Sequence, residues 1–229
     1  MRTSNTKLII LGHRNIREAD KMLFVYSEEH GKLRLIAKGA RRHKSKFLGH
    51  TQSLIVADAS LYFGPRNTLL TEIKPISSPK KINDSLIKTI CALQIAEITE
   101  RCVLENQKIP GLFDLLETTL KNLNKSHKSR LIVTTYTIKF LHLLGLLPDF
   151  KEIRTKLPEK YKRFFEYVKI ENFDKLLKIA LNEKDENIIQ DITKRLIENQ
   201  NGTEIKALSP SMSFATSTPK SLISFHQDF

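Results

Sequence analysis

At Lys80 the hydrophobic pattern of this chain changes period, and no other feature constrains the fold as much. Before that point, residues 7–11, 22–27, 32–38, 53–63 and 69–76 are short runs rich in Ile, Val, Leu, Phe and Tyr. They are separated by turn material such as Glu28-Glu29-His30-Gly31 and Gly64-Pro65-Arg66-Asn67, so they read as strands. The third run alternates most clearly: Leu33, Leu35 and Ala37 share one face, and Lys32, Arg34 and Lys38 share the other with Ile36. Five strands in so short a stretch predict a small closed barrel, the architecture of the OB-fold, whose outer face commonly tracks a nucleic-acid backbone.

After Lys80 the apolar residues recur at helical spacing. Asn83, Asp84 and Ser85 can cap a helix carrying Leu86, Ile90, Leu93 and Ile98 toward Val103, with Ile82 just ahead of the cap. Pro110 opens a second helix with the stripe Leu112, Phe113, Leu116, Leu120 and Leu123. A third runs from Arg130 to Leu147, where Pro148 stops it. Shorter, more charged helices are expected at 161–168, 173–181 and 187–199. The stretch 209–229, rich in Ser, Thr and Pro, reads as a flexible tail. The expected class is therefore α+β, with an OB-fold at 1–79, a helical domain at 80–208 and a tail at 209–229.

Charge separates the two parts. The 229 residues carry a formal charge of +13. Residues 1–80 hold 15 Lys and Arg against 6 Asp and Glu, while the remainder hold 23 against 19. Lys32, Arg34, Lys38, Arg41, Arg42, Lys44 and Lys46 follow one another with no acid among them, and the next acid is Asp58. Such a run repels itself unless a polyanion sits there, which points to phosphates. An exposed subset of Phe24, Tyr26, Phe47 and Tyr62 is the candidate for base stacking, with core packing the better account of Phe24.

Catalytic signatures are missing. The chain has no G-x-x-x-x-G-K-[ST], G-x-S-x-G, H-E-x-x-H or C-x-x-C, and its 8 glycines are too scattered for a dinucleotide loop. The 2 cysteines, Cys91 and Cys102, lie about 16.5 Å apart along one helix face, too far to bond, and read as small hydrophobes. His13, His30, His43, His50, His127, His142 and His226 show no ligand spacing. The expectation is a binding protein without catalysis, metal or cofactor. Its cysteine usage suits a reducing cytoplasm, and no apolar run approaches the ~20 residues that span a bilayer.

Three blocks carry a family resemblance: residues 11–20 (LGHRNIREAD), residues 24–32 (FVYSEEHGK) and, most specifically, residues 37–45 (AKGARRHKS). Together they resemble the amino-terminal domain of the RecO family of DNA repair and recombination mediators. The likeness continues through Leu93 to Glu97, Leu112 to Leu116 and Tyr136 to Pro148. It implies an OB-fold followed by helices, no catalysis, binding of single- and double-stranded DNA, strand annealing, and partnership with RecR and the single-stranded DNA-binding protein (SSB). It also implies a cytoplasmic, nucleoid-associated protein that helps load recombinase on SSB-coated DNA in the RecF pathway.

Many relatives carry a four-cysteine zinc knuckle after the segment matching Gly145 to Phe150. This chain has no cysteine beyond Cys102, so zinc is not expected, and Tyr161, Phe164, Phe165 and Tyr167 are candidates to fill the space. The expected nucleic-acid contacts are Arg14, Lys32, Arg34, Lys38, Arg41, Arg42, Lys44 and Lys46. An acidic SSB tail is expected to meet Lys121, Lys125, Lys128, Arg130 and Lys139, with Arg130 preferred for the tail carboxylate because its fork makes two hydrogen bonds. The alternative from another class is an RNA-binding or ribosome-associated OB module; a scaffold that meets an acidic protein is compatible with the first.

Overall fold

A computed structural model describes residues 2–148 and 157–201 of the chain. The expected tail at 209–229 and residues 149–156 of the zinc-module segment lie outside the described residues. Five strands form a closed barrel in the order β1-β2-β3-β5-β4: β1 (Arg2–Ile16), β2 (Asp20–Ser27), β3 (Gly31–Ala37), β4 (Val56–Phe63) and β5 (Thr68–Ser77). All neighbouring pairs are antiparallel except β3 and β5, which run parallel through Leu35 opposite Thr68 and Ile36 opposite Leu69. This is the OB-fold.

β1 is far longer than its apolar run suggests. Its first half pairs with β4, from Arg2 opposite Phe63 to Ile9 opposite Val56, and its second half pairs with β2. A bulge between Ile10 and Gly12 inserts one residue and bends the strand, which lets a single strand serve both neighbours. The core inside the barrel gathers Leu8, Ile10, Leu23, Val25, Leu33, Leu35 and Leu61, closed by Ala40 and Phe47 from the β3–β4 loop.

The chain divides into two compact units. The barrel takes Met1–Lys80 together with Thr99–Lys108, and the second unit takes Lys81–Ile98 and the described residues from Ile109 on. The helices are α1 (Lys80–Asn83), α2 (Leu86–Cys102), α3 (Leu112–Lys125), α4 (Ser129–Leu143), α5 (Glu159–Ile170), α6 (Phe173–Leu176) and α7 (Glu183–Asn201). Ser85 caps α2 as expected, its Oγ accepting from the Lys88 N–H.

Two glycines move helix ends away from the expected places. Gly111 has φ of 78°, so α3 starts after it rather than at Pro110. Gly145 has φ of 70°, and the Leu146 N–H reaches back to the Leu141 carbonyl, a Schellman closure that ends α4 at Leu143, before Pro148.

α4 is buried on every side from Leu131 to Ile138, so it is the central helix of its unit rather than an amphipathic one. Ile138 joins Tyr161, Phe165, Val168, Leu176 and Ile189 in one cluster, with Phe164 packed against it. Of the four aromatics proposed to fill the missing module, Tyr167 alone stays largely outside, 41% exposed.

Candidate nucleic-acid interface

From Lys38 to Lys46 the acid-free basic run lies in the loop joining β3 to β4, and the loop is anchored. Ala40 and Phe47 are sunk into the barrel core, 2% and 4% exposed. Gly39, at φ of 68°, donates its N–H to the Asp20 carboxylate at 2.7 Å, and the Arg41 N–H donates to the Ala19 carbonyl at 2.9 Å. The Arg41 guanidinium donates to the Glu18 carbonyl at 3.2 Å. Between these anchors the backbone turns repeatedly, with bonds from Arg42 to Gly39, Ser45 to Arg42 and Leu48 to Ser45. Lys38, Arg41, Arg42, Lys44 and Lys46 are all exposed, so one short loop holds five cations outward on a fixed frame. His43 and His50 are exposed in the same loop, as expected of solvated histidines.

Arg14 sits half-buried on β1. Its guanidinium carbon lies 5.9 Å from the centre of the Phe24 ring, and among the described residues its buried Nε has no hydrogen-bond partner.

Lys32 and Arg34 behave differently from the loop. Lys32 is buried, and its ammonium donates to the carbonyls of Glu100 and Val103 and pairs with the Glu100 carboxylate at 3.2 Å. It caps the end of α2 and presents no charge outward, which corrects its expected place on a phosphate. Arg34 is exposed, yet its Nε lies 3.0 Å from the Glu105 carboxylate. Both partners belong to Thr99–Lys108, which also bonds β3 through Lys32 N–H to the Gln107 carbonyl and Asn106 N–H to the Lys32 carbonyl. Gly31 admits this approach, since a Cβ there would lie 2.0 Å from the Gln107 oxygen.

The stacking candidates narrow to one, with Phe24 in the core as its packing reading had it. Phe24, Tyr26 and Phe47 are buried, and only Tyr62 is partly exposed. Sequence reasoning missed Lys21. It lies at the start of β2, half-buried, and burial first and Arg41 second hold its pKa below the ordinary lysine value. Strand alternation was the available signal, because Lys21 shares the parity of the inward Leu23 and Val25.

In the helical unit the five expected cations do not converge. Lys121 pairs with Glu117 at 2.7 Å, and Lys128 donates to the carbonyls of Leu177 and Ile179 at 2.7 and 3.0 Å. Lys139 reaches the Lys169 carbonyl at 3.5 Å, and burial holds its pKa down against an upward pull from Glu171. Arg130 lies beside the Cys91 thiol, which burial pushes up to about 12, and beside Glu186, raised by burial. Nine residues separate Arg130 from Lys139 on one helix, which turns them to opposite sides of α4. Lys125 is exposed.

Among the described residues no three His, Cys, Asp or Glu side chains gather as metal ligands, and no helix is long and apolar enough to cross a membrane.

A closed five-stranded barrel with an anchored cationic loop, followed by a helical unit, defines the class: an OB-fold protein with an appended α-helical domain. The family profile described as Recombination protein O N terminal matches residues 1–78, and the one described as Recombination protein O C terminal matches residues 83–153. The chain belongs to the RecO family.

Among curated relatives, the DNA repair protein RecO of Thermoanaerobacter sp. (strain X514) is 33% identical over 150 residues, 65% of this chain and 60% of that protein. That of Caldanaerobacter subterraneus subsp. tengcongensis is 30% identical over 149 residues, 65% of this chain and 60% of that protein. That of Listeria monocytogenes serovar 1/2a is 26% identical over 140 residues, 61% of this chain and 55% of that protein. The matched region thus spans at most 60% of the length of these relatives.

Proposed function

We propose that the chain acts in DNA repair as a recombination mediator: it binds single-stranded DNA, and double-stranded DNA through the same cations, and anneals complementary strands. It then helps load a recombinase on SSB-coated DNA in the RecF pathway, without catalysis and in the cytoplasm. The observation that carries this reading is the β3–β4 loop, where five outward cations stand on a backbone pinned by Ala40, Phe47, Asp20 and Ala19. A pre-set loop loses little conformational freedom on meeting a phosphate backbone. Buried aromatic rings leave phosphate contacts as the main source of affinity, so binding is salt-dependent and tolerant of sequence.

RecR and SSB are the proposed partners. With Lys128, Arg130 and Lys139 turned to separate neighbours, an acidic SSB tail is proposed to meet Lys121 and Lys125 on the exposed end of α3, with DNA held by the barrel at 1–79. A strand-annealing assay on complementary DNA strands coated with SSB, with no nucleotide added, tests the whole reading. Replacing Arg41, Arg42 and Lys44 by Ala reduces the logarithmic salt slope by about 2, from ~0.7 per phosphate on a single strand. An unchanged slope places the site elsewhere. Binding confined to structured RNA marks the chain as an RNA module instead.

A further inference from the structure

We propose that Lys21 and Arg41 form an anion seat at the loop end of the barrel, built to receive one phosphate of a bound nucleic-acid strand. The proposal rests on the DNA-binding reading above and adds to it a residue outside the basic run. Lys21 pairs across the sheet with Asn15, one position short of the Ile16–Asp20 pair that ends that ladder, and with Ala37, the terminal pair of β2 with β3 before the loop. Its parity is that of Leu23 and Val25, which face the core, but at this end the core is closed by Ala40 and Phe47. Lys21 is half-buried there, and the loop is bonded to the chain just before it, the Arg41 N–H to the Ala19 carbonyl and the Gly39 N–H to the Asp20 carboxylate.

Arg41 is held in place from two sides, by its N–H on the Ala19 carbonyl and by one guanidinium nitrogen on the Glu18 carbonyl. The acid next along the chain, Asp20, is engaged with the Gly39 N–H. Among the described residues the Lys21 ammonium has no ion pair and no hydrogen bond, and after burial the influence that holds its pKa down is a second cation, Arg41. A half-buried cation beside another, with no counter-charge, is destabilising in the free protein. An anion placed between them reverses that term. The donors suit a tetrahedral oxyanion, since Arg41 retains further guanidinium N–H groups and Lys21 adds a compact point charge with three donors. The lowered pKa of Lys21 agrees with the missing counter-charge.

A residue in such a seat has a signature that an ordinary surface lysine lacks: its removal stabilises the free protein and weakens the complex. Lys21→Met keeps the length of the stem and removes the charge. In the full chain without DNA it raises Tm by about 1–3 °C. It weakens binding of a fluorescently labelled oligothymidine by roughly tenfold, the order of one charge-assisted hydrogen bond, and lowers the salt slope by about 0.7. Lys21→Gln follows the same direction in binding. A Tm that is unchanged or lower, or an affinity equal to that of the unaltered chain, overturns the seat. The double variant Arg42→Ala/Lys44→Ala separates the two levels of inference. If it loses affinity while Lys21→Met does not, the seat alone falls; if the unaltered chain fails to bind the oligonucleotide, the DNA-binding reading falls first.

Discussion

Lys32→Met distinguishes a phosphate contact from a structural clamp at one position. Lys32 is 7% exposed, and its ammonium serves the carbonyls of Glu100 and Val103, the latter at 2.9 Å, as well as the Glu100 carboxylate at 3.2 Å. Methionine preserves the stem packing and deletes the donor, leaving two carbonyls at a helix end without a partner. Hydrogen bonds from a charged donor contribute roughly 1.5–3 kcal/mol each. The Glu100 side chain is 24% exposed, so water recovers part of the loss. The expected net cost is about 2–3 kcal/mol, which for a chain of this size lowers Tm by roughly 5–10 °C. Urea unfolding followed by circular dichroism measures the cost, and fluorescence anisotropy against salt measures DNA binding. The salt slope of the folded variant stays that of the unaltered protein, because the deleted charge never faced solvent. A variant of full stability whose slope falls by about 0.7 refutes the clamp and returns Lys32 to the phosphate-binding set.

Three other perturbations test the frame around the site. Gly31→Ala forces a Cβ to within 2.0 Å of the Gln107 oxygen at a φ of 68°, so urea unfolding should show a loss above about 2 kcal/mol; near-neutral behaviour contradicts the close approach of Thr99–Lys108 to β3. Phe47→Ala empties a core position under the basic loop and costs about 3–5 kcal/mol. Its DNA affinity falls although no cation is removed, and an unchanged affinity in the folded variant shows that anchoring the loop is irrelevant to binding. Asp185 accepts from Lys160, the Tyr161 hydroxyl and Asn182, and those bonds hold its carboxyl below the ordinary value. Because the folded pKa is the lower one, the stability it contributes is complete above about pH 4 and is lost as pH falls through the depressed value. Asp185→Asn is accordingly less stable at pH 7, and the gap narrows in acid; a gap independent of pH contradicts the assignment.

Local periodicity determined much of this protein. Alternation in β3 sorted Leu33, Leu35 and Ala37 inward before any partner strand was known, because side chains on a strand alternate whatever the strand pairs with. The change of period at Lys80 separated strands from helices for the same local reason, and the charge run marked the loop that carries five outward cations.

The sequence alone could not extend β1 back to Arg2, because Arg2 to Thr6 are polar and owe their strand to β4, more than fifty residues away. Nor could it tell Lys32 from Arg34: both are cations of one parity on one strand. Only the packing of Thr99–Lys108 buries one and leaves the other exposed in an ion pair. Lys21, outside the run, gained its place from the barrel end and from Arg41. Charge is a property of a residue, whereas burial and counter-charge belong to whatever the chain brings beside it, and that is decided by pairings distant in sequence.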